Sequence, residues 1–524
     1  MKKPVKLTSL LLAIALLASV FAGCGDGKKE SSSSPAQSPA SKAEESSAAG
    51  AESTPVETGD LDTSKEVEIV MYVVSDRPAK QDEIDENFNK LFKEKLNCTL
   101  KVNWIGWAEY PNKYPLLFSS GEKFDMAYAA TWLNFASLAQ KGAFMSLDEL
   151  WPKYAPKNFE RQSEAALRQA TVEGHYYCIP TLLATYSAYG PIYRTDILEG
   201  TDWDGKMENL ADFEAYLGYV KKTAPQFEPY NVMQSGSEVD DMYMREQGMY
   251  AVKGATNDFL FIDPNETDPK IFTYYEYEKT PDFLEMMNRW NEAGYFTKSD
   301  LSDTDSQKFK NGIAASTIHN IDSYSGNYID HPDWGVKYAN FVKDVYNMPF
   351  TQDTVVISNT SENPERALAL YDLITNDEEA FRAFYYGIED TSYEIIDGQI
   401  KNLDADNYAF SACWAARTTE FNLDSYGAPA DLKTFKDGFD EYIKEKNGEG
   451  GAKYAGFAIN TSSIETEYAA CQNVHQQYWW PLELGYTDAE SGLKDYQAKM
   501  EAAGIEKVRE VIQGQLEEYI ASLA

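Results

Sequence analysis

Three short β-rich segments, separated by stretches of helical periodicity, set the architecture open to this chain. Val67-Glu68-Ile69-Val70-Met71-Tyr72-Val73-Val74 reads as a strand, and Ile84, Phe88, Leu91, Phe92 and Leu96 recur at helical spacing behind it. Leu100, Val102 and Trp104 alternate as a second strand, a helix is expected up to Phe118, and Phe124-Asp125-Met126-Ala127-Tyr128 forms a third. Successive β-α-β units predict a mostly parallel sheet with helices on both faces, in which ligands bind beyond the carboxyl ends of the strands. The loops Ser75-Asp76-Arg77, Gly106-Trp107 and Thr131-Trp132 leave those ends, and their polar and aromatic side chains suit a binding rim.

Beyond Ile179-Pro180 the chain is rich in Tyr, Thr and small residues to Ile197, after which amphipathic helical segments run to Phe309. Phe213, Leu217 and Val220 mark one helix; Phe283, Leu284, Met287 and Trp290 mark another, with Trp290 expected in a core. Together they predict a second lobe. Gly312 to Ile318 reads as a buried strand, and Asn363-Pro364-Glu365-Arg366 starts a helix with Pro364 in its first turn. Ile505, Val508, Ile512, Leu516, Tyr519 and Leu523 predict a final amphipathic helix docked on the body.

At the other end, Lys2, Lys3 and Lys6 precede an apolar run from Leu10 to Val20 and then Phe21-Ala22-Gly23-Cys24. The run is much shorter than the roughly 20 residues needed to span a bilayer, and small residues precede the cysteine, so a signal peptide over 1–23 is expected. The segment resembles a bacterial lipobox, with Phe21 where Leu is usual; Cys24 would then carry a diacylglyceryl group. Residues 24–64, dominated by Ser, Ala, Glu and Pro, read as a disordered tether.

The formal net charge of −37 is spread along the chain, and no basic footprint is concentrated anywhere, which excludes nucleic acid as a partner. Cys98, Cys178, Cys413 and Cys471 are too widely spaced for a metal knuckle or a redox pair and are expected as buried free thiols, although secretion permits disulfides. The four histidines are dispersed as well, so neither a metal nor another cofactor is expected. Asp303 and Asp305 offer only a fragment of a calcium loop, without its glycine and terminal glutamate.

Several local patterns carry a family resemblance. Ser119-Ser120-Gly121-Glu122-Lys123-Phe124-Asp125 resembles a segment leading into an early strand of the extracellular solute-binding proteins of carbohydrate ABC importers, the maltose-binding-protein-like class. Phe309 to Ile318 resembles that family's return strand, and Asn363-Pro364-Glu365-Arg366-Ala367 one of its helix starts. Tyr386-Gly387-Ile388-Glu389, Gly456-Phe457, Tyr478 to Gly485 and Ala503 to Val508 are similar to a lipoprotein subgroup with an uncharacterised C-terminal domain.

The resemblance implies an α/β, periplasmic-binding-protein-like (type II) fold with two lobes around a ligand cleft and a helical C-terminal extension. Lobe 1 is expected over 65–182 and 312–355, lobe 2 over 183–311 and 356–450, and a packed C-terminal segment over 451–524. It further implies a monomeric, non-enzymatic protein, anchored by lipid to the outer face of the cell membrane. Such a protein closes on a small solute, here expected to be an oligosaccharide, and delivers it to a permease.

A sugar offers an apolar ring face edged by hydroxyls, so its site needs aromatic platforms flanked by carboxylates, amides and guanidinium groups. Loop aromatics are therefore ranked above those at helical spacing. Trp132 is the first candidate, directly after the third strand, and Trp107 follows the second. Asp76 and Arg77 after the first strand form a candidate hydroxyl clamp, with a surface ion pair as the bland alternative. Tyr186 and Tyr189 lie near the first expected crossover. Phe410 to Arg417 resembles the family segment that brings a stacking aromatic into the cleft, which adds Trp414, with Arg417 positioning it or capping a helix. Trp334 and Glu389 complete the candidate set, and Trp479-Trp480 is expected to pack rather than bind. The same fold with a peptide or cationic cargo is the main alternative. A secreted lipoprotein glycosidase is the other, and would need two carboxylates about 5 to 10 Å apart across a scissile bond.

Overall fold

The computed structural model describes residues 61–523, apart from 233–237, 253–258, 298–306, 343, 447–452, 455–456 and 458. The signal peptide, Cys24, nearly all of the tether, and Asp303 and Asp305 lie outside the described residues.

Strand β1 (Val67–Val74) buries Ile69, Met71 and Val73 on one face. Helix α1 (Gln81–Leu96) seats Ile84, Phe88, Phe92 and Leu96 against it. Asp82 and Glu83 in its first turn and Lys93 and Lys95 in its last complement the helix dipole, and Asn97 ends it in the left-handed region at φ 47°, donating to the Lys93 carbonyl. The chain then returns as β2 (Cys98–Ile105), parallel to β1 from Val67–Cys98 through Val74–Ile105. Helix α2 (Tyr110–Ser119) leads to β3 (Met126–Ala129), which pairs parallel with the other side of β1. The sheet order is β2, β1, β3, then Thr354–Ile357, then Ile179–Pro180, with Thr354–Ile357 antiparallel to both its neighbours.

A second core gathers Phe213, Leu217, Phe283, Leu284 and Trp290 from the helices Leu210–Thr223 and Thr280–Ala293. Beside it stands a three-stranded antiparallel sheet in which Tyr189–Tyr193 lies between Ser316–Asn320 and Lys337–Tyr338.

Two expected boundaries change. The strand at Ser316–Asn320 joins the second lobe's sheet, not the first, so of the stretch 312–355 only its last residues, at the start of Thr354–Ile357, enter the first sheet. Conversely, most of 356–450 packs with the first lobe: Leu368, Tyr371, Phe381, Tyr393 and Ala415 all lie in its core. Among the described residues of that stretch, the helix Ala430–Lys446, with Ala428 just before it, turns back to the second lobe, setting Leu432, Phe439 and Ile443 against Ile192 and Tyr324. A buried apolar run has the same local pattern whichever sheet receives it, so periodicity cannot make this choice.

The C-terminal segment is part of the second core rather than an appendage to it. Tyr468, Trp479, Tyr496, Ile505, Val508, Ile512 and Leu516 interleave with Trp290 and Phe283. Each aliphatic side chain buried this way stabilises by about 1.5–3 kcal/mol, so the final helix Ile505–Ser522 is structural. The segment also reaches the first lobe: Lys141 pairs with Glu465 at 2.6 Å, and the Asn460 amide donates to Glu173 at 3.4 Å. No helix among the described residues is long and apolar enough to cross a membrane.

Candidate functional site

The carboxyl ends of β1, β2 and β3 open onto one rim, and the loops there are held by short polar contacts. The Ser75 amide donates to the Ile105 carbonyl at 3.0 Å, and Asp76 Oδ1 accepts the Trp107 amide at 3.2 Å. Gly106 makes this approach possible, because a Cβ there would meet Asp76 Oδ1 at 2.7 Å. Trp107 is thereby launched from the end of β2. Trp132 arises from the single helical turn Thr131–Leu133 after β3, and Trp414 from the turn Trp414–Ala416, far along the chain.

These three loops deliver one continuous stack. The Trp107 ring lies 6.1 Å from Trp132 at an interplanar angle of 26°, and 6.0 Å from Trp414 at 18°. Tyr110 meets Trp107 and Trp132 edge-on, and Tyr128 meets Trp414 edge-on. Trp107 stays 38% exposed and the other two are half-buried. Offset and edge-to-face contacts of this kind stiffen a surface while leaving indole area open.

Beneath the stack is a buried polar knot. Asp353, only 6% exposed, accepts the Tyr128 hydroxyl at 2.6 Å and the Arg417 guanidinium at 2.6 Å. Arg417 Nε also donates to the Trp414 carbonyl at 3.0 Å. Burial and the neighbouring Asp353 carboxylate push the Tyr128 phenol far up. For Arg417, burial is the largest single effect and pulls downward, but Asp353 together with Tyr385, Asp322 and Tyr128 outweighs it, and the guanidinium ends above its ordinary value. The Thr181 amide donates to the Asp353 carbonyl at 2.9 Å, and the Thr181 hydroxyl to the Arg417 carbonyl at 3.4 Å. Three chain crossings thus meet at this point, directly under the aromatic stack.

Of the residues singled out from sequence, Trp107, Trp132, Trp414 and Arg417 come together here, and Asp76 fixes the loop beneath Trp107. Asp76 and Arg77 do not form a clamp: exposed Arg77 pairs with Asp82 at 2.6 Å and Asp85 at 3.5 Å, because α1 begins just beyond it and presents both carboxylates. Tyr186 donates to Asp440 at 2.7 Å and packs on Phe439. The Tyr189 ring stacks on His319 at 5.7 Å, with the Arg245 guanidinium 5.3 Å from its centre. Trp334 is taken up inside the second lobe, parallel to His331 at 3.6 Å and under Arg194 at 4.0 Å. Glu389 stands exposed in the loop after the helix Glu378–Tyr385, away from the stack. Trp479 is fully buried, stacked on Tyr274 at 3.9 Å and donating to Asp240 at 2.9 Å.

Sequence reading missed Asp353, Tyr128 and Tyr110. The one signal for Asp353 was its place at the end of a polar run, Thr351-Gln352-Asp353, just before a buried strand. A cavity of about 330 Å³, also unforeseen, adjoins the stack through Thr131 and Gln352, with Phe457 and Tyr468 of the C-terminal segment on its far wall. No group of three or more His, Cys, Asp or Glu residues is arranged to hold a metal ion among the described residues.

A family model described as bacterial extracellular solute-binding protein matches residues 84–395, and one described as a domain of unknown function (DUF3502) matches 453–521. The chain is 27% identical over 465 residues to a carbohydrate ABC transporter substrate-binding protein of Streptococcus pneumoniae serotype 4 (strain ATCC BAA-334 / TIGR4), covering 86% of this chain and 91% of that protein. Among solved structures it resembles the N-glycan transport solute binding protein NgtS of Streptococcus pneumoniae in complex with Man1GlcNAc, with TM-score 0.73 and 22% identity over 87% of this chain and all of that one. It also resembles the alginate-binding protein AlgQ2, with TM-score 0.60 and 16% identity over 86% of this chain and 98% of that one. At these identities the structural likenesses establish the fold, that of the type II periplasmic solute-binding proteins with a helical C-terminal region.

Proposed function

Because the chain belongs to the bacterial extracellular solute-binding protein family, we propose that it captures an oligosaccharide between its two lobes and presents it, unaltered, to the permease of an ABC importer. The observation that carries this reading is the stack of Trp107, Trp132 and Trp414, assembled from three separate loops on one rim. The indole area that the stack leaves open, largest at Trp107, suits the apolar face of a sugar ring, and polar groups nearby meet the ring hydroxyls. The carbohydrate relative and the glycan-bound neighbour support the same cargo class.

The crossings near Thr181, Asp353 and Arg417 are the natural hinge, with ligand shifting the population toward the closed state by its higher affinity for that state. A diacylglyceryl group on Cys24 and the tether behind it would keep a monomer within reach of its permease on the outer face of the membrane.

The test is a thermal-shift screen of the body from Lys65 onward against oligosaccharides, monosaccharides, peptides and polyamines, with every hit checked for breakdown products. A ligand at 100 times its Kd adds about 2.7 kcal/mol, which raises Tm by several degrees. Stabilisation by an intact glycan is the expected result. Stabilisation by peptides or polyamines alone would overturn the carbohydrate assignment, and cleavage of a hit would overturn the transport reading.

A further inference from the structure

The cavity beside the tryptophan stack has one wall from the first lobe and another from the segment matched by the domain of unknown function. We propose that this cavity is a ligand subsite in which the C-terminal segment takes part in recognition, and that it receives an N-acetylated sugar residue. The inference rests on the carbohydrate reading above and adds a subsite and a substituent to it.

Position comes first. Thr131, on the cavity wall, immediately precedes Trp132, and Gln352 immediately precedes Asp353 under the stack. A glycan lying on the indoles therefore has this chamber at its end.

The lining chemistry is selective. Gln169 Oε1 accepts the Phe350 amide at 2.7 Å, and Gln352 Oε1 accepts the Thr131 hydroxyl at 2.8 Å. Each side-chain carbonyl is thus occupied, while neither amide NH2 has a protein acceptor among the described residues. Two donors on the cavity wall suit a carbonyl oxygen. Around them Phe135, Tyr346, Phe457 and Tyr468 supply apolar surface that a hydroxyl cannot use and a methyl group can. An acetamido group combines that carbonyl with that methyl. Lys141 and Glu465 on the wall neutralise each other at 2.6 Å, which favours an uncharged substituent over an acid or an amine. The volume of about 330 Å³ lies at the small end of the usual range for small-molecule sites, room for the end of a glycan rather than its whole length.

The test is calorimetric titration of the full chain with chitobiose and chitotriose against cellobiose and cellotriose, which differ in carrying an acetamido group or a hydroxyl at C2. The expected result is a preference of about tenfold or more for the N-acetylated pair, since a site built to hydrogen-bond a group rejects the analogue lacking it. Gln352→Ala should cut that preference to below about threefold. Ala469→Trp should do the same by filling the cavity; Ala469 is exposed on the helix Glu465–Val474, so its unfolding curve should match the parent's. Equal affinity for the two series, or a preference intact in both variants, would overturn the subsite and leave carbohydrate capture standing. So would failure of both series in a chain that the thermal screen shows binding another glycan. Failure of every glycan would overturn both readings.

Discussion

The Arg417 guanidinium donates to the Asp353 carboxylate at 2.6 Å while its Nε donates to the Trp414 carbonyl at 3.0 Å, so one buried cation couples a chain crossing to the edge of the aromatic stack. Removing one partner of such a pair strands the other charge in a poorly solvated place. Arg417→Met should therefore destabilise the protein by about 3–5 kcal/mol, measured by urea denaturation. The double variant Asp353→Asn with Arg417→Met should recover part of that loss, because no buried charge remains. A double variant as unstable as the sum of the two single ones would show that the pair is not coupled.

Trp107 is the most open member of the stack, and its removal should tell on ligand binding. Trp107→Ala is expected to cost about 1–2 kcal/mol of stability through its lost contacts with Trp132, Trp414 and Tyr110, without unfolding the body, while weakening glycan binding about tenfold or more. Trp132→Ala and Trp414→Ala should weaken binding at least as much. Trp334→Ala is the control: its ring is held by His331 and Arg194 in the second lobe, so affinity should be unchanged. Equal losses from Trp334 and Trp107 would argue against the stack as the platform.

Cys98, Cys178, Cys413 and Cys471 are free and fully buried, and burial pushes each thiol up to about 12. Little thiolate exists at neutral pH, and reagent cannot reach it. A thiol titration should find these four silent in the native body and all four reactive in denaturant. Fewer than four in the unfolded body would reveal a disulfide.

His475 is held at about 3 by burial and lies 2.9 Å from the Tyr496 hydroxyl. The unfolded chain takes up a proton near 6.5 that the native chain refuses, so stability falls as pH drops below that value, by up to about 1.4 kcal/mol per unit. Asp372 acts in the opposite sense: burial raises its carboxyl to about 6, so between 3.8 and 6 the native chain holds the extra proton and loses stability as pH rises. His475→Gln isolates the first effect. Denaturation midpoints of the variant and parent should diverge in the variant's favour from pH 6.5 toward 5, and a difference constant with pH would refute the assignment.

The order of elements from Val67 to Tyr128, and with it the rim shared by Trp107 and Trp132, follows from the sequence alone. Period-two and period-3.6 patterns are local, and a parallel sheet with intervening helices leaves its loops at one end. The final helix was equally readable, because its apolar stripe recurs every turn. Trp414 was placed by resemblance rather than by spacing. Only the tertiary structure decided which lobe receives Ser316–Asn320, that Asp353 joins Tyr128 and Arg417 from points 225 and 64 residues away, and that the C-terminal segment closes a cavity with the first lobe. These outcomes depend on contacts between distant parts of the chain. A buried strand, a lone aspartate or a glutamine on a wall carries no local pattern that names its partner.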